Sequence, residues 1–272
     1  MKVREALAVA AERLRPVSDT PRLDAELLAA HAIGVTREAL LMGGLDGDAP
    51  ASLAPLLDRR AAGEPVAYIT GRQDFWTLSL AVTPDVLIPR ADSETLIEAA
   101  VARLRGRPPS RILDLGTGSG ALLLAALDHW PDATGLGVDV SPGALAVAAG
   151  NAEALGLAGR AAFRLGDWTA GIDERFDLIL CNPPYVEDGA RLAHGVVGFE
   201  PHGALFAGAN GLDCYRLLAS RLDGVAAPGA IACVEIGAGQ AASAGALFTA
   251  CGWMSETFRD LAGRDRCLML ER

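Results

Sequence analysis

The tetrapeptide Asn182-Pro183-Pro184-Tyr185 follows an apolar run, Phe176-Asp177-Leu178-Ile179-Leu180-Cys181, that reads as a buried strand. Two consecutive prolines donate no backbone hydrogen bond, so the strand must stop there. Pro183 also drives Asn182 away from helical geometry into an extended one. The product is a rigid lip at a strand's carboxyl end, bearing an amide side chain, carbonyls with no ladder partner and one aromatic ring. A tight turn alone would also account for the prolines.

A second constellation is Asp114-Leu115-Gly116-Thr117-Gly118-Ser119-Gly120, glycines between a strand and a helix. They let a ligand approach the backbone closely. Gly116, Gly118 and Ala121 also satisfy the dinucleotide fingerprint G-x-G-x-x-G/A, so the spacing leaves the nucleotide-type cofactor open. Asp139 lies about 20 residues on, at the end of the next strand, where a carboxylate can accept both ribose hydroxyls of an adenosine. Gly166-Asp167-Trp168 ends a third strand. There Asp167 suits an adenine amino group and the Trp168 indole can cover the ring face. An acid at a strand end is also an ordinary cap, and neither of these two acids demands a ligand alone.

These residues need a scaffold that gathers strand ends. After Pro108-Pro109 the sequence alternates: strands over 111–115, 135–140, 161–165 and 176–181, with helices over 121–129 and 142–155. A long irregular stretch, 186–211, precedes a helix over 213–225, a strand over 230–235, a helix over 240–250 and strands over 254–258 and 266–270. Repeated βα units imply an α/β fold with a mostly parallel, doubly wound sheet. With a strand order beginning 3-2-1-4, the glycine turn and Asn182-Pro183-Pro184-Tyr185 open onto one crevice at the switch point. The irregular stretch is long for a structureless connection and is expected to help form the substrate mouth.

Residues 1–70 read as a small helical bundle. Val3, Leu7, Ala10 and Leu14 share one face, Pro16 ends that helix, and Pro21 starts the next with Asp19 or Thr20 as cap and Gly34 closing it. Short helices fit 37–41 and 53–62. Residues 71–90 read as a β-hairpin linker, from which Asp92 or Ser93 caps a helix with Glu94 in its first turn. The second domain runs over 91–272.

The 272 residues are 51% apolar with a formal net charge of −10, enough for two cores and unfavourable for non-specific binding to nucleic acid or anionic membranes. Nine basic face ten acidic residues over 1–72, against fifteen and twenty-four over the remainder, so a local partner surface belongs rather to the first segment. Five scattered cysteines without a Cys-x-x-Cys pair fit a reducing compartment, and four histidines without ligand spacing argue for no metal. No apolar block resembles a signal peptide or reaches the ~18 residues of a membrane span, so a cytoplasmic protein is expected.

Taken together, the glycine turn, Asp139 and Asn182-Pro183-Pro184-Tyr185 resemble class I S-adenosylmethionine-dependent methyltransferases that modify a planar nitrogen, a superfamily including N6-adenine and protein-glutamine enzymes. Further stretches narrow the resemblance: Gly63–Gly71, Ile88-Pro89-Arg90-Ala91-Asp92-Ser93-Glu94, Phe199-Glu200-Pro201, Gly211-Leu212-Asp213, Glu235-Ile236-Gly237 and Asp260–Arg266. They are similar to the HemK/PrmC family of peptide chain release factor glutamine methyltransferases over nearly the whole chain, with Ser93 where the family pattern has Thr. The resemblance implies a Rossmann-like seven-stranded methyltransferase sheet with an N-terminal substrate-recognition bundle. It implies S-adenosylmethionine held by Asp114, Gly116, Thr117, Gly118, Ser119, Gly120, Asp139, Asp167, Trp168 and Asn182. Asn182, Pro183, Pro184 and Tyr185 would be catalytic, joined at the substrate by Arg90 and Glu200. Class 1 release factors would be the partners of a monomer without stable nucleic-acid binding. A ribosomal-protein glutamine methyltransferase shares the catalytic motif. An N6-adenine methyltransferase, a nicotinamide-dependent oxidoreductase and a non-catalytic adaptor are the remaining alternatives.

Overall fold

The computed structural model describes residues 1–191 and 194–272. Internal contacts divide the chain into two units, Met1–Arg72 with Arg191–Glu200, and Gln73–Ala190 with Pro201–Arg272.

The first unit is helical: α1 (Val3–Leu14), α2 (Pro21–Ile33), α3 (Arg37–Ala39), α4 (Leu53–Ala61) and α5 (Val66–Thr70). The apolar spacing of α1 delivers Val3, Leu7, Ala10 and Leu14 to a core shared with Leu28, Leu40 and Leu53. Pro21 opens α2, and Gly34, left-handed at φ 80°, closes it. Two acids of α2 are buried and paired. Asp24 receives Arg60 Nε at 2.7 Å, and Glu26 sits between Arg22 and Arg37. The helix expected over 37–41 is a single turn that widens into a π-turn at Leu40–Gly44. Gly43 and Gly44 there give the backbone little reason to hold α geometry. Helix α5 lies inside the segment expected to be helical, as one helix more than the four given there.

In the second unit, β1 (Arg72–Phe75) and β2 (Leu78–Ala81) form the anticipated hairpin. It is fastened to this unit. The Asn151 Oδ1 accepts from Ala81 N at 2.7 Å, while its Nδ2 donates to Ala81 O and to Ser119 O of the glycine turn at 3.0 and 2.9 Å. Trp76 N donates to Glu94 Oε1 at 2.8 Å.

After α6 (Glu94–Arg103) come β3 (Arg111–Leu115), α7 (Ala121–His129), β4 (Thr134–Asp139), α8 (Pro142–Ala154), β5 (Ala161–Leu165) and β6 (Phe176–Cys181). Then follow α9 (Asp213–Arg221), β7 (Ala226–Glu235), α10 (Ala241–Ala250), β8 (Met254–Arg259) and β9 (Asp265–Glu271). The seven strands lie in the order β5-β4-β3-β6-β7-β9-β8, with only β9 antiparallel to its neighbours. Both faces are covered, so successive residues of a strand feed opposite cores. Ile112 and Leu178 join one cluster with Leu123, whereas Leu113 and Ile179 join another with Tyr215 and Trp253.

Two boundaries differ from the sequence reading. The helix expected over 213–225 ends at Arg221 and finishes as a 3₁₀ turn to Gly224. The strand expected from 230 begins at Ala226, across a bulge in its pairing with β6. In the irregular stretch, Val186 bridges Phe206 and a 3₁₀ turn covers His202–Ala204. Residues 192 and 193 of that stretch lie outside the described residues.

Candidate active site

Leu115 of β3 pairs with Cys181 of β6, which brings the glycine turn and Asn182 side by side at the carboxyl edge of the sheet. The chain leaves β3 toward β4 on one side and leaves β6 toward β7 on the other, so this edge is the switch point. A cavity of about 450 Å³ opens there, within the range that holds a small-molecule ligand.

One wall is the turn itself. Gly116, Gly118 and Gly120 have φ of 72°, 55° and 83°, a left-handed succession that residues with side chains rarely adopt. Gly116 N and Thr117 N donate to Val138 O at 2.9 and 3.0 Å, pinning the turn to β4. Gly118 N donates to Asp139 Oδ2 and Ser141 N to Asp139 Oδ1, both at 2.9 Å. The Asp139 carboxylate is thereby oriented, and two lone pairs remain for a ligand's hydroxyls. Gly137 makes room beneath: a Cβ there would stand 2.8 Å from both Phe163 and the Thr117 hydroxyl.

Asp114 does not line the cavity. It is buried under the turn, where Thr117 Oγ1 donates to its Oδ2 at 2.6 Å and its Oδ1 has no hydrogen-bond partner. Burial pushes its carboxyl up to about 7, outweighing the Thr117 hydrogen bond. Gly120 likewise falls behind the wall, as the residue that starts α7.

The opposite wall carries Gly166, Asp167 and Trp168, with Trp168 left-handed at φ 54°. A tryptophan in that region costs about 1–3 kcal/mol, a strain that clusters at ligand sites. Phe75, Leu87 and Leu122 supply apolar surface. Pro201, Gly203, Ala204 and Phe206, from the irregular stretch, complete the lining. Every charged side chain on the wall is an aspartate: Asp85, Asp139 and Asp167.

That charge pattern distinguishes two ligand classes. A dinucleotide would bring a pyrophosphate dianion to a wall without one basic side chain. S-adenosylmethionine brings an adenosine, a sulfonium and an ammonium. The oriented carboxylate, the indole, the glycine backbone and the acidic wall fit the latter group.

Asn182 and Pro184 line the cavity. Asn182 Nδ2 donates to Ser93 Oγ at 3.2 Å, while neither Asn182 Oδ1 nor the Pro183 carbonyl is engaged by another described residue. Two acceptors thus stand unused at the strand end. Pro183 itself is buried.

Tyr185 is not on the cavity wall. Its hydroxyl donates to Glu235 Oε1 at 3.1 Å, and its carbonyl accepts from Gln240 Nε2 at 3.1 Å. Burial raises the phenol well above its ordinary range. Tyr215 OH in turn donates to the Glu235 backbone oxygen at 3.1 Å. Arg90 is also absent from the wall and contributes positive charge near Tyr185. Glu200 is buried and belongs to the first unit.

The sequence reading missed Ser93, Glu235, Gln240 and Arg266 as members of this site. Ser93 was expected as a helix cap, yet its side chain caps nothing, and it lies in a 3₁₀ turn, Ala91–Ser93, at φ −70°. Its hydroxyl is spent on Asn182 instead. The available signal was the position of Glu235 at the end of a buried strand. An acid there is costly unless it serves a neighbour.

Comparisons with known proteins place the chain in a family. Residues 5–71 match the PrmC N-terminal domain and residues 92–198 the methyltransferase small domain. A release factor glutamine methyltransferase of Rhodospirillum rubrum is 45% identical over 93% of this chain and 80% of its own. One from Cereibacter sphaeroides is 42% identical over 98% of this chain and 97% of its own. Among solved structures, the ribosomal protein L11 methylase of Lactobacillus delbrueckii subsp. bulgaricus covers 67% of this chain and 80% of its own at TM-score 0.52 and 21% identity, a likeness of fold.

Fold and site therefore define a Rossmann-like, S-adenosylmethionine-dependent methyltransferase. Within that class, the chain belongs to the release factor glutamine methyltransferase family.

Proposed function

We propose that this enzyme methylates the side-chain amide nitrogen, N5, of the glutamine in the Gly-Gly-Gln tripeptide of class 1 peptide chain release factors. The observation that carries the reading is the pair of unengaged acceptors at the end of β6, Asn182 Oδ1 and the Pro183 carbonyl, of which Asn182 lines the cavity. A primary amide presents two hydrogens in one plane, and two fixed acceptors are its complement.

S-adenosylmethionine, when bound, supplies a methyl carbon already activated by its sulfonium. Asp139, the Gly116–Gly118 backbone and Trp168 hold that cofactor, with the Asp85, Asp139 and Asp167 carboxylates favouring its positive charge. The difficulty lies in the nucleophile, because the amide lone pair is delocalised into its carbonyl. Asn182 Oδ1 and Pro183 O accept hydrogen bonds from both amide N–H groups, fix the nitrogen in place and stabilise the positive charge that develops on it until one of the two protons leaves to solvent. This is an oxyanion hole with its sign reversed. Orientation of this kind supplies up to about 7–11 kcal/mol of a barrier. Tyr185 acts from behind the lip, through Glu235. Arg90, Glu200 and the loop residues Pro201–Phe206 are proposed to contact the protein substrate.

The reading includes a monomeric, cytoplasmic enzyme whose first unit recognises the release factor and which has no stable nucleic-acid partner. The acidic balance of the chain supports the last point, and no helix among the described residues is long and apolar enough to cross a membrane. Intact-mass analysis of a purified release factor after incubation with enzyme and S-adenosylmethionine tests the proposal. The expected gain is one methyl group, mapped to the tripeptide glutamine. Methylation of a ribosomal-protein substrate instead would overturn it.

A further inference from the structure

Behind the Asn182 lip lies a buried polar cluster that the reaction as described leaves without a task. It comprises Ser93, Glu235, Arg266 and Tyr185, and Ser93 and Glu235 are 3% and 1% exposed. Tyr185 satisfies Glu235 Oε1, whereas Oε2 accepts no hydrogen bond. Ser93 Oγ accepts from Asn182 Nδ2 at 3.2 Å, a contact that leaves the direction of its own hydrogen open. Yet Ser93 lies close enough to Glu235 to favour the charged carboxylate. A hydroxyl on the cavity wall and a buried carboxylate oxygen without a partner are therefore neighbours. A hydroxyl rotates freely, and an unsatisfied buried carboxylate oxygen is costly.

We propose that Glu235 and Ser93 are positioning residues that decide which way round the Asn182 amide stands. Ionised Glu235 has acceptors only, so it takes the Ser93 hydrogen. Ser93 Oγ then has only lone pairs to offer Asn182, and it accepts from Nδ2. Oδ1 is left on the cavity side as an acceptor. Without that relay the two ends of the Asn182 amide differ little in energy. The reversed amide would present N–H to the substrate's N–H. This inference rests on the reading that Asn182 Oδ1 receives the glutamine amide.

Burial pushes the Glu235 carboxyl up to about 7, so the relay is set above that pH, where the carboxylate is ionised, and Arg266 favours that form. Arg266 also pairs with Asp92 and Asp260 at 3.0 and 3.3 Å. The Asp92 carboxylate opposes the ionised form of Glu235, and the other ionisable groups facing Glu235, Tyr185, Tyr215, Cys181 and Cys267, are kept neutral by burial.

The test compares Asn182→Ala, Ser93→Ala, Ser93→Thr and Glu235→Gln for release factor methylation, S-adenosylhomocysteine affinity and hydrogen exchange of the Asn182 side-chain NH2 by NMR. Ser93→Ala is expected to lower kcat by about 10²-fold, the scale of one misplaced charge-stabilising group. Its KM and S-adenosylhomocysteine affinity should stay within about threefold, and Asn182 NH2 exchange should quicken. Ser93→Thr, which keeps the hydroxyl, should restore both kcat and slow exchange, and Glu235→Gln should resemble Ser93→Ala. Where Glu235→Gln does not fold, the Ser93 pair decides. If Asn182→Ala is inactive while Ser93→Ala keeps kcat within twofold, or Ser93→Thr fails to rescue, the relay is overturned and the amide-binding role of Asn182 stands. An active Asn182→Ala overturns both.

Discussion

Asn182 Nδ2 donates to Ser93 Oγ across 3.2 Å, joining residues 89 positions apart in the chain. The contact spends one of the amide's two N–H donors inside the protein and leaves its oxygen for the substrate.

The first consequence is catalytic. Asn182→Ala removes one of the two proposed acceptors and nothing from the cofactor's main contacts. The kcat for methyl transfer should fall at least 10²-fold, with S-adenosylhomocysteine affinity changed by no more than a few-fold. Single-turnover methylation and calorimetric titration measure the two quantities separately. A variant keeping most of its kcat would remove Asn182 from the reaction.

Asp139 predicts the converse pattern. Its two oxygens are held by Gly118 N and Ser141 N at 2.9 Å. Asp139→Ala loses the acceptor for the ribose hydroxyls and releases the turn. Affinity for S-adenosylhomocysteine should drop about tenfold or more, with each lost charge-assisted hydrogen bond contributing about 1.5–3 kcal/mol. Titration of the variant with NADH beside S-adenosylhomocysteine checks the ligand class, and binding of NADH by the unaltered protein would contradict it.

Gly120 tests the backbone of the turn. Its φ is 83°, and a Cβ would lie 3.1 Å from Leu124 Cδ1 and 3.3 Å from Ala148 Cβ. Gly120→Ala should destabilise the protein by about 1–3 kcal/mol and weaken cofactor binding together, because the same strain displaces the Gly116–Gly118 segment. Urea denaturation with and without S-adenosylhomocysteine would show it, and an unchanged midpoint would refute it.

Asp114 makes stability depend on pH in an unusual direction. Burial lifts its carboxyl from the ordinary 3.8 to about 7, and lifts Glu235 from 4.5 to about 7. Across that interval the folded chain keeps protons that the unfolded chain has released. Stability therefore falls as pH rises from about 4 to about 7, by about 1.4 kcal/mol per unit of difference for each group. Asp114→Asn should flatten part of that slope. Denaturation midpoints at half-unit pH steps decide it, and identical slopes would assign the effect elsewhere.

Much of this was legible because the signals are local. Prolines at 183 and 184 stop β6 wherever it lies, glycines at 116, 118 and 120 permit a left-handed succession, and apolar runs bounded by turn formers fix the βα alternation. The hairpin over 71–90 read only as a connection, because nothing local shows that Asn151 reaches across from α8 to hold it. Ser93 read as a cap, because a serine before an apolar-periodic helix has that use first. Tyr185 read as a wall of the substrate site, since its ring sits next to Asn182 in sequence. Its hydroxyl meets Glu235 instead.

By itself, then, the sequence determined the strand order's logic, the cofactor turn and the amide-bearing lip, all consequences of backbone chemistry within a few residues. Only the tertiary structure decided what stands behind that lip. Pairing β3 with β6 and β7 with β9 carried Glu235 and Arg266 to the same depth as Asn182, and the 3₁₀ turn before α6 brought Ser93 to meet them. Hydrogen-bond direction in a buried cluster depends on which donors and acceptors are left without water, and that is a property of packing that no spacing along the chain records.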